Sequence, residues 1–261
     1  MTAATAALRP YVRSYWDYSE TTAGTVHRRE MPHGGVVLIL GLGEELGVTD
    51  PRQPSTPARV TSFVAGLYDS YVVTSSRGLS SGIQLNLDPV GAHLILGVPM
   101  AEVANRIVAL PDLFGRSAST LAERLADAPD AAARAAVVDG FLHRRLAAAR
   151  PAAPQVVHAW RRLVETHGGT GIGALADEVG WSRRHLVGRF REQVGLPPKT
   201  VARILRFERA YGHVDRPGVS WTRVAHECGY ADQAHLIREF REFTGATPGE
   251  VAGVREWIEP A

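Results

Sequence analysis

The sequence is short of cysteine: its 261 residues include one, Cys228. A single thiol excludes an internal disulfide framework and a zinc site built on paired cysteines. Low cysteine content is also typical of proteins of the reducing cytoplasm. Cys228 occupies an apolar position of a helical pattern, so we expect a small buried side chain rather than a redox sensor.

Lysine is nearly absent as well. Lys199 is the only lysine among 29 basic residues, and the other 28 are arginine. A bias of this kind is typical of a GC-rich genome. The net charge of +2 excludes a uniformly basic nucleic-acid coat protein, but it permits a local basic face.

Long apolar runs are missing too. The longest lies around residues 36–40, whereas a membrane span needs about 20 apolar residues. Residues 1–8 lack a basic segment followed by an apolar core, so we expect no signal peptide. The sequence predicts a cytoplasmic protein with no membrane partner.

What is present is ordinary globular composition, with 45% hydrophobic and 21% charged residues. The first hundred residues are predicted to be mostly strand, because they contain β-branched runs or strict alternation. The clearest strand segments are 36–40, 70–74 and 83–87. After Met100 the pattern becomes helical, in the Ala- and Leu-rich segments 101–110, 120–128 and 131–149.

Two prolines, Pro151 and Pro154, interrupt the helical pattern, because proline lacks the amide N–H that a helix interior needs. We place a domain boundary there, which divides the chain into residues 1–152 and 153–261. Up to residue 150 there are 14 basic and 14 acidic residues, and after it 15 and 13. The small positive excess therefore lies entirely in the second part.

The second part contains an internal repeat. The segment LADEVGW at 175–181 matches VAHECGY at 224–230 with an offset of 49. The segment HLVGRFRE at 185–192 matches HLIREFRE at 235–242 with an offset of 50. The slip of one residue falls in a turn, where insertions are tolerated. The two copies cover about residues 171–195 and 220–245.

Each copy has the pattern of a helix-turn-helix. Gly180 and Gly229 are expected at the left-handed position that ends the first helix, and Ser182 and Asp232 are expected N-caps of the second. Apolar residues at helical spacing should bury one face of each second helix: Leu186, Phe190 and Val194, or Leu236, Phe240 and Phe243. A continuous helix over 200–211 is predicted to link the copies.

The opposite face of each second helix is free to enter a major groove of DNA. Arginine can bind guanine there, glutamine can bind adenine, and small apolar side chains can contact thymine methyl groups. The first copy exposes Arg183, Arg184, Val187, Gly188 and Arg191, and the second exposes Gln233, Ala234, Ile237, Arg238 and Arg241. His185 and His235 are further candidates, with packing beside the turn as the alternative. Arg191 and Arg241 lie late in their helices, so phosphate contact and plain solvation both remain open.

Residues 156–251 resemble the C-terminal DNA-binding domain of the AraC/XylS family of transcription regulators. The resemblance rests on the repeat and on a signature-like run from Ala225 to Pro248. It implies base-facing roles for Arg184, Val187, Gly188, Ala234, His235 and Arg238. Gly188 departs from the family, which often has arginine there, and Arg189 stands where the family often has an apolar residue. Base reading by the first copy then depends on Arg183 or Arg184.

The family commonly couples this domain to a sensor or dimerisation domain. The resemblance therefore implies an α+β chain, with a cupin-like β-barrel followed by helices and then an all-α domain of two helix-turn-helix units. Four aromatic residues are candidates for a ligand pocket, with ordinary core packing as the alternative: Trp16, Tyr18, Tyr68 and Tyr71. The helix over 137–146 is a candidate dimer seam, with packing inside the chain as its alternative.

Enzymatic chemistry is not expected. The histidines before the boundary, at 27, 33, 93 and 143, include no pair at a spacing of two on one strand, as a metal cupin typically has. There is no Gly-x-Ser-x-Gly elbow and no P-loop. A DNA-repair methyl acceptor would need a nucleophilic cysteine before the boundary, where there is none. We therefore predict no catalytic residue, no metal and no cofactor.

The sequence as a whole predicts a one-component transcription regulator that binds double-stranded operator DNA. A small-molecule effector, RNA polymerase and a second copy of the chain are further candidate partners. The alternatives are a constitutive regulator whose N-terminal domain only mediates assembly, and a DNA-binding protein with an enzymatic cupin-like domain.

Overall fold

The computed structural model describes residues 5–251 and 256–259. Its strands all belong to one antiparallel sheet. They are β1 (Val12–Glu30), β2 (Val36–Gly41), β3 (Leu46–Thr49), β4 (Ala58–Val60), β5 (Phe63–Ala65), β6 (Val72–Leu87), β7 (Ile107–Ala109) and β8 (Glu256–Glu259).

The helices follow the first six strands. They are α1 (Pro89–Leu96), α2 (Leu110–Phe114), α3 (Arg116–Ala126), α4 (Ala131–Ala147), α5 (Pro154–Glu165), α6 (Ile172–Glu178), α7 (Arg183–Val194), α8 (Pro198–Tyr211), α9 (Trp221–Glu227) and α10 (Gln233–Thr244). None of the helices in the described residues is long and apolar enough to cross a membrane.

Strand β6 is the centre of the sheet. Strand β1 pairs with one edge of β6, and β2 and β3 share its other edge. Strands β5 and β7 extend the sheet beyond β2, and β4 extends it beyond β3. The sheet closes almost into a barrel. The expected α+β fold with a cupin-like N-terminal domain is confirmed.

The two faces of the sheet have different partners, because successive side chains of a strand point to opposite sides. On β2, Val36, Leu38 and Leu40 belong to the main core that includes the helices. Ile39 points the other way and joins a smaller apolar cluster with Phe63. We call the side that carries Ile39 and Phe63 the inner face.

The main core is continuous from Leu8 to Phe243, so the helical C-terminal part is packed onto the N-terminal part. Helix α4 contributes Val138, Phe141 and Leu142 to it, all at most 4% exposed. For the apolar stripe of α4, the structure thus shows packing inside the chain.

The helix predicted over 101–110 is wrong. Residues Met100–Glu102 form a single 3-10 turn, and Ile107–Ala109 is strand β7. Val108 pairs with Val64 of β5. Pairing with a strand distant in sequence outweighs the helix propensity of an Ala-rich segment.

The strands predicted at 70–74 and 83–87 are parts of one strand, β6. The strand continues through residues 75–82, where β1 pairs with it almost without interruption from Glu30↔Val72 to Val12↔Leu87. Helix α1 was not anticipated. The Asp88 carboxylate accepts the Val90 amide N–H at 3.0 Å and caps α1 just after β6.

Candidate nucleic-acid interface

The first helix-turn-helix consists of α6 and α7. Gly180 ends α6 with φ +68°, and the Trp181 amide donates to the Ala176 carbonyl at 3.0 Å. This is a Schellman turn. The Ser182 hydroxyl then accepts the His185 amide N–H at 3.2 Å and begins α7. The predicted cap and turn are both confirmed.

The second helix-turn-helix, α9 and α10, repeats this geometry. Gly229 has φ +76°, the Tyr230 amide donates to the Ala225 carbonyl at 2.8 Å, and Asp232 accepts the His235 amide at 2.7 Å. Helix α8 links the two units, as the sequence predicted. Cys228 is buried near the turn, and burial raises the pKa of its thiol.

The second helix of each unit is divided into a buried and an exposed side. The predicted apolar side chains are fully buried: Leu186, Phe190, Val194, Leu236, Phe240 and Phe243. The predicted DNA-facing residues are exposed or half-buried. Exposed are Arg183, Arg184, His185, Gly188, Arg191, Gln233, Ala234, Arg238 and Arg241, and half-buried are Val187, His235 and Ile237.

The arginines of these exposed faces are free to bind. Within the described residues, none of the five makes an ion pair or a side-chain hydrogen bond: Arg183, Arg184, Arg191, Arg238 and Arg241. Arg189 differs, because it binds Glu192 at 2.6 Å one turn further along α7. A guanidinium without a protein partner keeps its donors for a base edge or a phosphate.

The side chains of His185 and His235 pack against aromatic residues of the two turns. The His185 ring lies edge-on to Trp181 with centroids 4.5 Å apart, and His235 lies edge-on to Tyr230 at 5.2 Å. His235 Nδ1 also accepts the Ala231 amide N–H at 3.4 Å, and these contacts favour the packing role that the sequence left open.

Thr222 is a residue that the sequence did not single out. Its hydroxyl donates to the Gln233 amide oxygen at 2.7 Å, from α9 to the start of α10. The contact holds the Gln233 amide at the start of α10, and its two N–H donors and the second lone pair of its oxygen stay available to a base edge.

A buried ion-pair network fixes α10 against the linking helix. Glu239 is 3% exposed. Its Oε1 accepts from Arg203 Nε at 2.7 Å and from Arg206 Nη2 at 3.3 Å. Arg206 also lies over the Tyr230 ring at 4.9 Å. Burial, and then the neighbouring Glu239 carboxylate, raise the pKa of Tyr230. Arg203 and Arg206 of the linking helix are thus structural.

The first unit lies against the N-terminal part of the chain. Helix α7 contacts α1 and the 3-10 turn at Met100. At the start of the second part, just before α5, the Ala153 amide N–H donates to the buried Gln193 side chain at 2.9 Å. The second unit makes a smaller contact, in which Arg29 Nη1 donates to the Thr244 carbonyl at 2.9 Å.

The inner face of the sheet encloses a cavity of about 330 Å³. Its walls combine apolar side chains such as Phe63 and Val72 with polar ones such as Thr74, Gln84 and Asn86. This volume and mixture suit a small molecule. In the described residues, no three His, Cys, Asp or Glu side chains are close enough to hold a metal ion.

Of the four predicted pocket aromatics, Tyr68 lines this cavity. Trp16 and Tyr18 are the cross-strand partners of Gln84 and Gly82, so they lie on the inner face. Tyr71 lies elsewhere: its ring is 4.8 Å from the Arg29 guanidinium, at the junction with the helical part. The structure thus brings three of the four to one face.

Two family models match the chain. Residues 175–253 match a helix-turn-helix domain, and residues 2–109 match a domain of unknown function (DUF6597). With the paired units described above, the first match defines the C-terminal part as a helix-turn-helix DNA-binding domain. The domain is of the AraC type.

Relatives that are similar in sequence match a short segment of this chain. Uncharacterized HTH-type transcriptional regulators of two Staphylococcus aureus strains are 29% identical to this chain over 92 residues. The match covers 35% of this chain and 12% of each relative. The chain thus aligns with about an eighth of the length of these relatives.

Solved structures that are similar to this chain include two with TM-scores below 0.5. ToxT from Vibrio cholerae is 9% identical with a TM-score of 0.49, covering 93% of this chain and 98% of that chain. The DNA-binding domain of AdpA, solved in complex with a target DNA, is 25% identical with a TM-score of 0.35. That match covers 40% of this chain and 91% of the AdpA chain.

Proposed function

We propose that this protein is a sequence-specific transcription regulator that binds double-stranded operator DNA through both helix-turn-helix units. The observation that carries the proposal is the set of unpaired arginines on the exposed faces of α7 and α10. Both faces have the same turn and cap geometry, which suits insertion of each helix into a major groove.

The base-reading roles fall on the first half of each helix. In this proposal Arg184 and Arg238 bind guanine, while Val187 and Ile237 contact thymine methyl groups; the exposed or half-buried positions of all four support it. Arg191 and Arg241 lie nearer the helix ends and bind phosphates. Gly188 carries no side chain, so base reading by α7 depends on Arg183 and Arg184.

Selection of DNA sequences by the purified protein tests this proposal. We expect one enriched sequence, bound far more tightly than random DNA. The double variant Arg184→Ala with Arg238→Ala should lose the preference, whereas Arg116→Ala, an exposed arginine of α3, should keep it. No enrichment by the parent protein, or equal enrichment by the double variant, would overturn the proposal.

We further propose that residues 1–152 form a regulatory domain without enzymatic activity, which binds a small-molecule effector in the inner-face cavity. The polar side chains of Thr74, Gln84 and Asn86 line the cavity together with apolar Phe63, and this mixture supports a ligand of mixed polarity. An effector that binds one arrangement of the domains more tightly shifts the population toward it. The protein would act in the cytoplasm, where operator DNA is present.

Calorimetry against a metabolite panel tests the effector. We expect at least one compound to bind and to change the affinity for the selected DNA. The variant Phe63→Trp should abolish that binding by filling the cavity. If every binding compound leaves DNA affinity unchanged, the effector proposal is wrong. A constitutive regulator whose N-terminal domain serves assembly would then be favoured.

A further inference from the structure

The second helix of each helix-turn-helix unit begins with a side chain that contacts the first helix of the same unit. Arg183 begins α7 and Gln233 begins α10, and the repeat relates the two with its offset of 50. In helix-turn-helix proteins, the N-terminal residues of this helix reach base edges in the major groove. The direction in which Arg183 and Gln233 point therefore bears on which base each contacts.

In the second unit, a hydrogen bond sets this direction. The Thr222 hydroxyl of α9 donates to the Gln233 amide oxygen at 2.7 Å. Both side chains are exposed, so the contact does not serve the packing of the core. It restricts the rotamers of Gln233, while the two amide N–H donors and one lone pair of the oxygen stay available.

In the first unit, a missing side chain has the same effect. The residue equivalent to Thr222 is Gly173 of α6, at the repeat offset of 49. The Arg183 guanidinium lies over this glycine, where a Cβ atom at position 173 would be 2.5 Å from Arg183 Nη2 and 3.0 Å from Arg183 Cζ. Nonbonded heavy atoms prefer separations of about 3.5–4.0 Å. Any side chain at position 173 would therefore displace the guanidinium.

Helix stability does not explain the glycine. Glycine inside a helix is less favourable than alanine. The three atoms nearest to a Cβ at position 173 all belong to the end of the Arg183 side chain, and none belongs to the backbone or the core. Gly173 thus makes room for the guanidinium rather than for a close approach of two backbone segments.

We propose that Gly173 and Thr222 are positioning residues, which set the base preference of Arg183 and Gln233 by fixing how these side chains leave α7 and α10. The proposal rests on the DNA-binding function proposed above, and it adds two residues that lie outside the second helices. In the first unit an empty position accommodates a large cation, and in the second a hydroxyl holds an amide. Sequence preference then depends on each pair of residues and not on the second helix alone.

Gly173→Ala tests the first pair, by DNA selection and competition binding with the full chain. Alanine favours the helix, so the variant should fold as the parent does, which circular dichroism and thermal melting check. We expect binding to the parent's selected sequence to weaken about fivefold, with the loss of preference confined to one part of that sequence. When Arg183→Ala is already present, Gly173→Ala should have no further effect, because the displaced group is absent. Gly140→Ala in α4 is the matched control.

Thr222→Val and Thr222→Ser test the second pair. Valine has nearly the shape of threonine but no hydroxyl, whereas serine keeps the hydroxyl. We expect Thr222→Val to broaden the preference at the same base position as Gln233→Ala does, and Thr222→Ser to retain the parent's preference. A residue that only stabilised α9 would change the melting temperature and leave the base preference as it was.

The outcomes separate this proposal from the function on which it rests. If the parent selects a sequence, and Gly173→Ala and Thr222→Val select that sequence with the same affinity, the positioning roles are wrong and the DNA-binding function stands. If Gly173→Ala weakens binding equally with and without Arg183, the glycine does not act through Arg183 and its assignment fails. If the parent enriches no sequence, the DNA-binding function is overturned, and this proposal with it.

Discussion

The two helix-turn-helix units have the same local geometry where the sequence repeats, but different contacts hold their second helices in place. Both have a left-handed glycine, a capped second helix and three fully buried apolar side chains. In the second unit, Glu239 fixes α10 to the linking helix through Arg203 and Arg206. The equivalent position in the first unit is Arg189, which binds only Glu192 of its own helix.

The first unit obtains its support from another part of the chain. Helix α7 contacts α1 and the turn at Met100, both of which lie before the domain boundary. The second recognition helix is therefore held within the DNA-binding part, whereas the first is held by both parts. A change in the N-terminal part is expected to reach α7 before α10.

The largest expected difference between the units concerns this support. Glu239→Ala leaves two partly buried guanidinium groups without their shared anion, so we expect a loss of about 3 kcal/mol in the free energy of unfolding. Arg189→Ala removes one exposed pair within a helix and should cost less than about 0.5 kcal/mol. Urea unfolding of both variants measures the difference, and equal losses would contradict the comparison. Glu239→Gln, which keeps an acceptor, should recover part of the loss.

A smaller difference is expected in DNA binding. Arg238→Ala should weaken binding to the selected sequence by about 1–3 kcal/mol. Arg184→Ala should cost less than Arg238→Ala, because Arg183 stands beside Arg184 and offers a second guanidinium to the same groove. Competition binding with each variant measures both values. If Arg238→Ala changes neither affinity nor sequence preference, Arg238 does not read a base.

The N-cap residues of α7 and α10 should contribute equally to stability, because the two caps have the same geometry. Ser182→Ala and Asp232→Ala each remove an acceptor for the amide N–H three residues on, and each should cost about 1 kcal/mol of stability. Thermal unfolding of the two variants checks this, with Ser182→Asp as a cap-preserving control. A clear inequality would show that the two turns are not equivalent.

The smallest expected effect on DNA binding concerns Arg191 and Arg241, the arginines nearest the ends of α7 and α10. If Arg191 and Arg241 bind phosphates, Arg191→Gln and Arg241→Gln should each reduce the salt dependence of DNA binding by about one unit of slope. Sequence preference should stay the same. Binding measured over a salt series distinguishes this from plain solvation, for which the slope would not change.

The helix-turn-helix units could be predicted from the sequence because their signals are local. Gly180 and Ser182, and their counterparts in the second copy, lie within a few residues of the turns they form. The strand at 107–109 could not, because its pairing with β5 joins segments more than 40 residues apart in sequence. The role of Glu239 was also missed. Its only signal was a charge at a repeat position where the first copy has the opposite charge, Arg189.

The N-terminal part was predicted less well for the same reason. β-Branched or alternating runs located β2 and the ends of β6, but the face that each aromatic residue occupies depends on strand register. Trp16 and Tyr18 reach the inner face through pairing with β6, while Tyr71 lies just before that strand and contacts Arg29 instead. Composition alone does not separate these positions.

The pairing of β8 with β1 gives the molecule the connectivity of a ring. Residues 25–28 of the N-terminal sheet bind residues 256–259, which follow the second helix-turn-helix unit along the chain. The DNA-binding part is thereby anchored at two points: covalently before α5 and by strand pairing after α10. A domain that is attached at both ends has less orientational entropy than a domain attached through a single flexible linker. Any reorientation of the two helix-turn-helix units on DNA must therefore either keep the pairing of β8 with β1 or break that pairing first.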